Sequence, residues 1–254
     1  MKQDELISEV VRITRLAGDV ILGYYKQDVE IERKSDDSPL TLADTMAHKT
    51  IHRELAKLDP SIPILSEEGS IPDYSVRKSW ERFWLVDPLD GTKEFIKKNG
   101  EFTVNIALIE EGVPVLGVVG IPVKGIIYTG GSETGSCRID QKGHAAQITS
   151  KAPDLSNPLT AAVSRSHGTE NLEEKLGEMG VRVGKTITAG SSLKYCLVAE
   201  GTADIYPRFG PTMEWDTAAG DAVFRYSGAG GTVRASSLSY NKPDLRNGEF
   251  VAGL

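Results

Sequence analysis

The chain has 254 residues, of which 39% are hydrophobic, so it is long enough to bury a substantial core as one large domain or two tightly packed halves. Lysine and arginine number 29 against 36 aspartates and glutamates, and the formal net charge of -7 argues against a nucleic-acid polymer as partner. The sequence contains no run of about 18 apolar residues and no apolar signal segment, so we expect a cytoplasmic protein without a transmembrane segment, with peripheral association to the inner membrane left open.

The N-terminal quarter reads as helical. Apolar residues recur every three or four positions and predict a helix over residues 4–25, and an alternating pattern predicts a strand over residues 29–33. The polar stretch that follows is expected to be a loop, after which Thr41 caps a second helix that ends near Leu58. Asp44 then lies in the first turn of that helix.

Short strands dominate the middle of the chain. Their short connections, with turns at Glu111-Gly112 and Lys124-Gly125, indicate an antiparallel meander. The polar stretch 151–158 contains two prolines and marks a boundary between subdomains at residues 1–152 and 153–254. The predicted strands are residues 62–65, 83–86, 103–109, 115–121, 126–129, 159–163, 181–183, 203–206 and 232–234, and the predicted later helices are residues 170–179, 191–200 and 216–226.

Several acids fall where predicted elements end or begin. Asp87 and Asp90 follow the apolar strand 83–86, and Pro88 and Gly91 favour a tight turn that aims both carboxylates and the Leu89 carbonyl at one point. Glu67 follows the strand 62–65, and Asp216 begins a predicted helix. Such a grouping suits a hard cation such as Mg²⁺, although isolated acids at these places are commonly solvated or capping groups.

Four segments together resemble the inositol monophosphatase superfamily of metal-dependent phosphatases. They are residues 37–44 (DSPLTLAD), 65–68 (LSEE), 87–92 (DPLDGT) and 215–220 (WDTAAG). The resemblance implies an α+β class protein with the layered αβαβα sugar-phosphatase-like fold, in which the active site lies between two sheet-bearing subdomains. Monomers and homodimers both occur in the superfamily, so the oligomeric state stays open.

The same resemblance implies roles for the acids. Glu67, Asp87 and the Leu89 carbonyl are expected to bind one Mg²⁺, while Asp87, Asp90 and Asp216 bind a second, and a third, weaker site is expected near Glu67. Asp44 and Thr92 are expected to orient or deprotonate the attacking water. Hydrolysis of a phosphate monoester depends on positioning and charge stabilisation, which two divalent ions supply.

A narrower resemblance is to the branch that cleaves 3'(2'),5'-bisphosphate nucleotides. It rests on residues 93–108, 164–167 (SRSH), 190–196 (GSSLKYC) and 206–211 (YPRFGP). It implies removal of the 3'-phosphate from adenosine 3',5'-bisphosphate, and from its sulfated relative, with inhibition by lithium and a role in sulfur metabolism. The expected substrate-binding residues are Glu67, Leu89, Asp90, Gly91, Thr92, His167, Ser191, Lys194, Arg208 and Asp216.

The sequence leaves other interpretations open. A phosphatase for inositol monophosphate or another sugar phosphate is the alternative activity, and an inactive nucleotide-binding module is the alternative without catalysis. His48 and His52 have a spacing that suits zinc, but the glutamate of a His-Glu-x-x-His site is missing. Glu68 is expected to be solvated or to support a ligand, and Glu214 to modulate metal affinity. Cys137 and Cys196 are expected to be small buried residues.

Overall fold

The fold was analysed in a computed structural model, which describes residues 1–26, 31–33, 39–165, 171–231, 233–234 and 236–254. The described residues form seven α-helices of very different length. They are α1 (Gln3–Tyr25), α2 (Leu42–Leu58), α3 (Tyr74–Arg77), α4 (Thr92–Ile96), α5 (Leu172–Glu178), α6 (Leu193–Ala199) and α7 (Glu214–Arg225). None of them is both long enough and apolar enough to cross a membrane.

The main sheet has seven strands in sequential order. The first pair is parallel and all the others are antiparallel, which confirms the predicted meander. Both predicted turns lie between its strands, and Glu111 and Gly112 adopt left-handed backbone angles there. The strands are β3 (Ile64–Ser66), β4 (Arg82–Asp90), β5 (Thr103–Glu110), β6 (Val113–Ile121), β7 (Ile126–Gly131), β8 (Gly135–Ile139) and β9 (Ala145–Gln147).

The remaining strands form small sheets. In the second half of the chain, β10 pairs with β11 in parallel and β12 pairs with β15 in antiparallel, and a bridge between Ala161 and Ile205 joins the two pairs. Two further antiparallel pairs are β1–β2 and β13–β14. These strands are β1 (Ile31–Arg33), β2 (Pro39–Thr41), β10 (Leu159–Ser164), β11 (Val183–Ala189), β12 (Tyr206–Arg208), β13 (Thr212–Met213), β14 (Arg246–Asn247) and β15 (Phe250–Ala252).

Alternating side chains of the main sheet serve two hydrophobic cores. On β4, Trp84 and Val86 pack with α1 and α2, whereas Phe83 and Leu85 pack with α6 and α7. Successive side chains of a strand point to opposite faces, so an uninterrupted apolar run is what a sheet covered on both sides requires. The main sheet is therefore the second layer of the fold, between two helical layers.

The second sheet separates two more cores in the same way. Ala162 on β10 packs with Tyr195 of α6, whereas its neighbours Ala161 and Val163 pack with Leu172 of α5. The layers run from α1 and α2 through the main sheet, α6 and α7 and the second sheet to α5. This order confirms the predicted αβαβα architecture.

Helix α7 lies close to the main sheet because glycines face it. A Cβ atom built on Gly117 would lie 2.4 Å from the Ala219 carbonyl oxygen, and one on Gly130 would lie 2.5 Å from the Ala222 carbonyl oxygen. Any larger residue at these positions would push the helix away from the sheet. The close approach matters for function because the first turn of α7 carries Asp216.

Long amphipathic elements follow the sequence prediction, and short elements depart from it. Helices α1 and α2 begin and end within a residue or two of the predicted bounds, whereas β11 begins at Val183, where the predicted strand 181–183 ended, and β12 begins at Tyr206. The predicted strand 232–234 is wrong for residues 233 and 234, which lie outside any strand, and residue 232 is outside the described residues. The proposed subdomain boundary stays a prediction.

Candidate metal centre and active site

The strand β4 carries two predicted metal ligands across a bulge. Asp87 pairs with Asn105 and Asp90 pairs with Thr103, so two residues of β4 stand opposite the single Val104. The sequence analysis placed both acids in a tight turn, and this was wrong, because the strand continues through Asp90. A bulge changes the direction of side chains while the strand keeps their backbone fixed, and it turns Asp90 relative to Asp87.

Three acids from three elements form a cluster. Glu67 follows β3, Asp87 lies in β4 and Asp216 lies in the first turn of α7, and each offers a carboxylate oxygen within 4.8 Å of the others. The parallel pairing of β3 with β4 brings Glu67 beside Asp87, and the Glu67 amide donates to the Val86 carbonyl oxygen at 3.1 Å. The structure therefore unites three of the four predicted carboxylate ligands, and Asp90 lies outside this tight cluster.

The electrostatics of the cluster favour a bound cation. Burial raises the pKa of Asp87 well above its ordinary value, and the charges of Glu67 and Asp90 raise it further. The pKa of Asp216 is likewise raised by burial and then by the charge of Asp90. Several carboxylates that repel one another in a low-dielectric site are stable in their ionised form when a cation lies between them.

Each of three aspartates has one carboxylate oxygen in hydrogen bonds with the protein. The Leu89 amide donates to Asp87 Oδ1 at 3.1 Å, and the Met213 amide donates to Asp216 Oδ2 at 2.9 Å. Polar groups of neighbouring residues reach Asp90 at Oδ2. Hard divalent cations prefer oriented oxygen ligands of this kind, so the donor set fits Mg²⁺.

Three residues beside Asp90 were missed by sequence reasoning. Thr103 Oγ1, Asn105 Nδ2 and Ser192 Oγ lie 3.4, 3.3 and 3.3 Å from Asp90 Oδ2. Thr103 and Asn105 are two residues apart on β5, so the strand period places them on one face toward the site. That signal was available in the sequence, whereas the contact with Ser192 depends on the tertiary fold.

Gly91 allows the loop before α6 to reach the end of β4. Its φ of 93° is left-handed, and a Cβ atom built on it would lie 2.2 Å from Ser191 Oγ. The Ser191 hydroxyl donates to the Asp90 carbonyl oxygen at 2.8 Å. Two predicted substrate-binding residues, Gly91 and Ser191, are thus in contact beside a predicted metal ligand.

Lys194 is buried beneath this loop. Its side chain is only 3% exposed, and Nζ donates to the carbonyl oxygens of Ala189 at 3.3 Å and Ser191 at 2.6 Å. Burial lowers the pKa of Lys194 to about 8, although the charge of Asp90 opposes this change. Half-buried Arg208 donates from Nη2 to the Pro211 carbonyl oxygen at 2.9 Å, while its Nε is buried without a hydrogen-bond partner among the described residues. Contact of either cation with substrate stays a prediction.

The predicted water-handling residues lie on separate helices. Asp44 is buried in the first turn of α2, and its charge raises the pKa of Asp87. Thr92 is the first residue of α4 and is partly exposed. A contact between the two side chains stays a prediction, and His167 lies outside the described residues.

Other singled-out residues have structural contacts. Glu214 is fully buried. Its carboxylate accepts hydrogen bonds from the backbone amides of Asn241, at 2.7 Å, and Lys242, at 2.9 Å, and from the Lys242 ammonium at 2.7 Å.

His48 Nδ1 lies 2.9 Å from Ser66 Oγ, and burial lowers the pKa of His48. Within the described ranges, the cluster of three metal-binding side chains contains neither His48 nor His52. Cys196 is buried and Cys137 half-buried, and both are free thiols.

Comparison with known proteins agrees with this site. The profile of the Inositol monophosphatase family matches residues 2–254. The chain belongs to the inositol monophosphatase family. Enzymes of this family are metal-dependent, and the cluster of Glu67, Asp87 and Asp216 is consistent with that dependence.

Three similar members of the family carry the name CysQ. The chain is 50% identical to the 3'(2'),5'-bisphosphate nucleotidase CysQ of Salmonella typhimurium, over 88% of this chain and 89% of that protein. It is 42% identical to the protein of the same name from Buchnera aphidicola, over 98% and 94% of the two chains. The crystal structure of CysQ from Bacteroides thetaiotaomicron superposes with a TM-score of 0.79 at 40% identity and covers 98% of both chains.

Proposed function

We propose that this chain is a 3'(2'),5'-bisphosphate nucleotidase that removes the 3'-phosphate of adenosine 3',5'-bisphosphate and yields AMP and phosphate. The observation that carries the proposal is the carboxylate cluster of Glu67, Asp87 and Asp216 in a chain that is 50% identical to a protein named for this activity. Similarity over almost the whole length of both proteins supports the same substrate class, because it includes the segments that surround the cluster.

The metal ligands are assigned by resemblance to the family, and the cluster of Glu67, Asp87 and Asp216 supports the assignment. Glu67, Asp87 and the Leu89 carbonyl would hold one Mg²⁺, and Asp87, Asp90 and Asp216 would hold a second, while a third ion near Glu67 belongs to the same proposal. When bound, such ions lower the pKa of a coordinated water and neutralise charge on the phosphate and the leaving oxygen. The protein contributes orientation, since the bulge in β4 and the start of α7 fix the carboxylates before substrate arrives.

Asp44 and Thr92 are proposed to handle the attacking water. Asp44 is buried at the start of α2, and its charge raises the pKa of Asp87, which supports its assignment to the same site. Thr92 follows the left-handed Gly91 directly after the metal-binding strand. In this role the Thr92 hydroxyl accepts a hydrogen bond from the attacking water and donates one to the Asp44 carboxylate.

A bisphosphate substrate needs cations for its second phosphate. Lys194 and Arg208 lie on α6 and β12 in the second half of the chain, and each acts electrostatically on the other. We assign them, with Ser191 and His167, to the nucleotide side of the site, where the planar guanidinium of Arg208 suits bidentate phosphate contact. This assignment predicts that a nucleotide bisphosphate is preferred over a sugar monophosphate.

The substrate is tested by a comparison of rates with Mg²⁺ present. The panel is adenosine 3',5'-bisphosphate, its sulfated relative, inositol 1-phosphate and fructose 1,6-bisphosphate, with kcat/KM as the measured quantity. We expect the first two to be hydrolysed fastest, with inhibition by millimolar lithium. Faster hydrolysis of inositol 1-phosphate would assign the chain to another branch of the family, and unchanged phosphate release by Asp90→Asn would refute the metal assignment.

A further inference from the structure

A buried polar pair lies between the two halves of the metal site. Asn105 on β5 is 1% exposed, and Ser192, directly before α6, is 2% exposed. Asn105 Nδ2 donates to Ser192 Oγ at 3.0 Å. Asn105 Oδ1 is buried without a hydrogen-bond partner among the described residues, so the hydrogen bonds of Asn105 are those of its Nδ2, and its partners show what the pair holds in place.

The pair connects Asp90 with the backbone of Asp216. Ser192 Oγ lies 2.8 Å from the Asp216 carbonyl oxygen and 3.3 Å from Asp90 Oδ2. A hydroxyl has one hydrogen, so it donates to the nearer acceptor, the Asp216 carbonyl. The Asn105 amide has two hydrogens and reaches both Ser192 Oγ and, at 3.3 Å, Asp90 Oδ2. One chain of hydrogen bonds therefore runs from a carboxylate on β4 to the first turn of α7.

This connection joins two elements that carry like charges. Asp90 lies at the end of β4 and Asp216 lies in the first turn of α7, and two ionised carboxylates of one site repel each other. Within the site, Asp90 keeps Oδ2 on the hydrogen-bond chain and Asp216 keeps Oδ2 on the Met213 amide. Each side chain thus has one carboxylate oxygen held by hydrogen bonds of the protein.

We propose that Asn105 and Ser192 are positioning residues that hold Asp90 and Asp216 at a fixed separation and so prepare them to bind the same metal ion. The inference rests on the proposed function, because it assigns both aspartates to one cation. Groups that orient metal ligands typically change metal affinity or activity by about 10- to 100-fold when they are removed.

The test measures binding of Mn²⁺ to metal-free protein by electron paramagnetic resonance, well below the unfolding temperature. We expect Ser192→Ala and Asn105→Ala each to weaken Mn²⁺ binding by about 10- to 100-fold. The double variant is expected to bind Mn²⁺ about as tightly as the single variant with the lower affinity, because either change breaks the same chain of hydrogen bonds. Saturating metal is expected to restore much of the turnover number of Ser192→Ala, since the lost property is occupancy.

Ser136→Ala is the matched control. Ser136 is also buried, and its hydroxyl donates to the carbonyl oxygen of Val223 on the same helix α7, at 2.7 Å. We expect Ser136→Ala to lower thermal stability and to leave Mn²⁺ affinity unchanged. If Ser192→Ala does not fold, Ser192→Cys retains similar shape with a weaker donor and is expected to lose affinity in the same direction.

Two outcomes overturn the inference: wild-type Mn²⁺ affinity in folded Ser192→Ala or Ser192→Cys, or an equal loss in Ser136→Ala. Failure of the proposed function is recognised separately. If Asp87→Asn binds Mn²⁺ as well as the wild type does, the cluster is not a metal site, whatever Ser192 does. If the wild type binds Mn²⁺ but releases no phosphate from the bisphosphate, the activity is wrong while the positioning role still stands on the affinity data.

Discussion

Helix α7 carries three acids, and the charges around them differ. Two are paired with a cation of the protein, and the third lies near other carboxylates. Glu214 and Asp221 are fully buried and each has a cation of the protein, Lys242 at 2.7 Å and Arg225 at 2.9 Å. Asp216 instead faces other carboxylates, and burial and the charge of Asp90 raise its pKa. The two acids that stabilise the fold are therefore neutralised by cations of the protein itself, whereas the charge of Asp216 is available to a bound metal ion.

The largest expected effect is that of Asp216→Asn on catalysis. Loss of one ligand of a charge-stabilising metal site is expected to lower kcat/KM by about 10²- to 10³-fold. In metal-free buffer the same change removes one of several carboxylates that repel one another, so the free energy of unfolding is expected to stay equal or to rise. Phosphate release with Mg²⁺ and urea unfolding in EDTA measure the two quantities.

Asp221→Asn on the same helix is the control for that variant. It removes the acid that faces Arg225, so we expect it to lower the free energy of unfolding while it changes kcat/KM far less than Asp216→Asn does. If Asp216→Asn were as destabilising as Asp221→Asn in EDTA, the distinction between the two kinds of acid on α7 would be wrong.

The second prediction concerns Arg225→Met. Asp221 Oδ2 accepts from Arg225 Nε at 2.9 Å and from the Tyr240 hydroxyl at 2.9 Å, and the Arg225 side chain is itself 11% exposed. Removal of one partner of a buried pair costs about 3–5 kcal/mol, because the other charge is left uncompensated. Urea unfolding at pH 7 is expected to show a loss of that size, and Asp221→Asn in the same chain is expected to recover part of it.

The pH dependence of Arg225→Met follows from the carboxyl left behind. Burial raises the pKa of Asp221 even with Arg225 present, and Arg225 opposes this increase. Without the arginine, the folded-state pKa rises further above the unfolded value, so the folded protein binds the extra proton in that range and stability falls as pH rises. The stability deficit of Arg225→Met is therefore expected to be larger at pH 8 than at pH 5, and an equal deficit at both would contradict this account.

The sequence predicted the elements with a periodic apolar pattern and the residues within contiguous motifs. It did not predict contacts between residues that are distant in sequence. Helix α1 was predicted almost to the residue because its apolar stripe extends over 23 residues, whereas β9 has three exposed residues and no such pattern. The three acids of the cluster were found through motifs around Glu67, Asp87 and Asp216. Their geometry was not predicted, because a bulge and a turn after an apolar strand look alike in sequence.

The contact between Asn105 and Ser192 could not be predicted from local patterns, for a physical reason. Ser192 and Asn105 are brought together by the packing of α6 on the main sheet, and neither has a spacing that predicts the other. Glu214 lies two residues before Asp216 and binds Asn241 and Lys242, a contact that its position in the sequence did not predict, while its effect on metal affinity stays a prediction. Proximity in sequence indicates a shared site only where the backbone directs both side chains the same way.

The smallest expected effect on stability is that of Glu101→Gln. Like Glu214 and Asp221, Glu101 is paired with a cation of the protein. Glu101 accepts two hydrogen bonds from Arg165, at 2.8 and 2.9 Å, and one from the Gly190 amide at 2.9 Å. Its side chain is 20% exposed, so solvent screens the pair. We expect Glu101→Gln to lower the free energy of unfolding by about 1 kcal/mol at pH 7, and Glu249→Gln, in a more exposed pair with Lys175, by less than about 0.5 kcal/mol.

The pH dependence of the Glu101 contribution has the opposite sign to that of Asp221. Burial opposes the change, but the hydrogen bonds and charge of Arg165 and the Gly190 amide lower the pKa of Glu101 below its ordinary value of 4.5. A lowered folded-state pKa gives stability that is present above the unfolded value and is lost as pH falls through the folded value. The difference between wild type and Glu101→Gln is therefore expected to shrink below pH 4.5, and a difference that grew in acid would show that Arg165 and the Gly190 amide do not lower the pKa of Glu101.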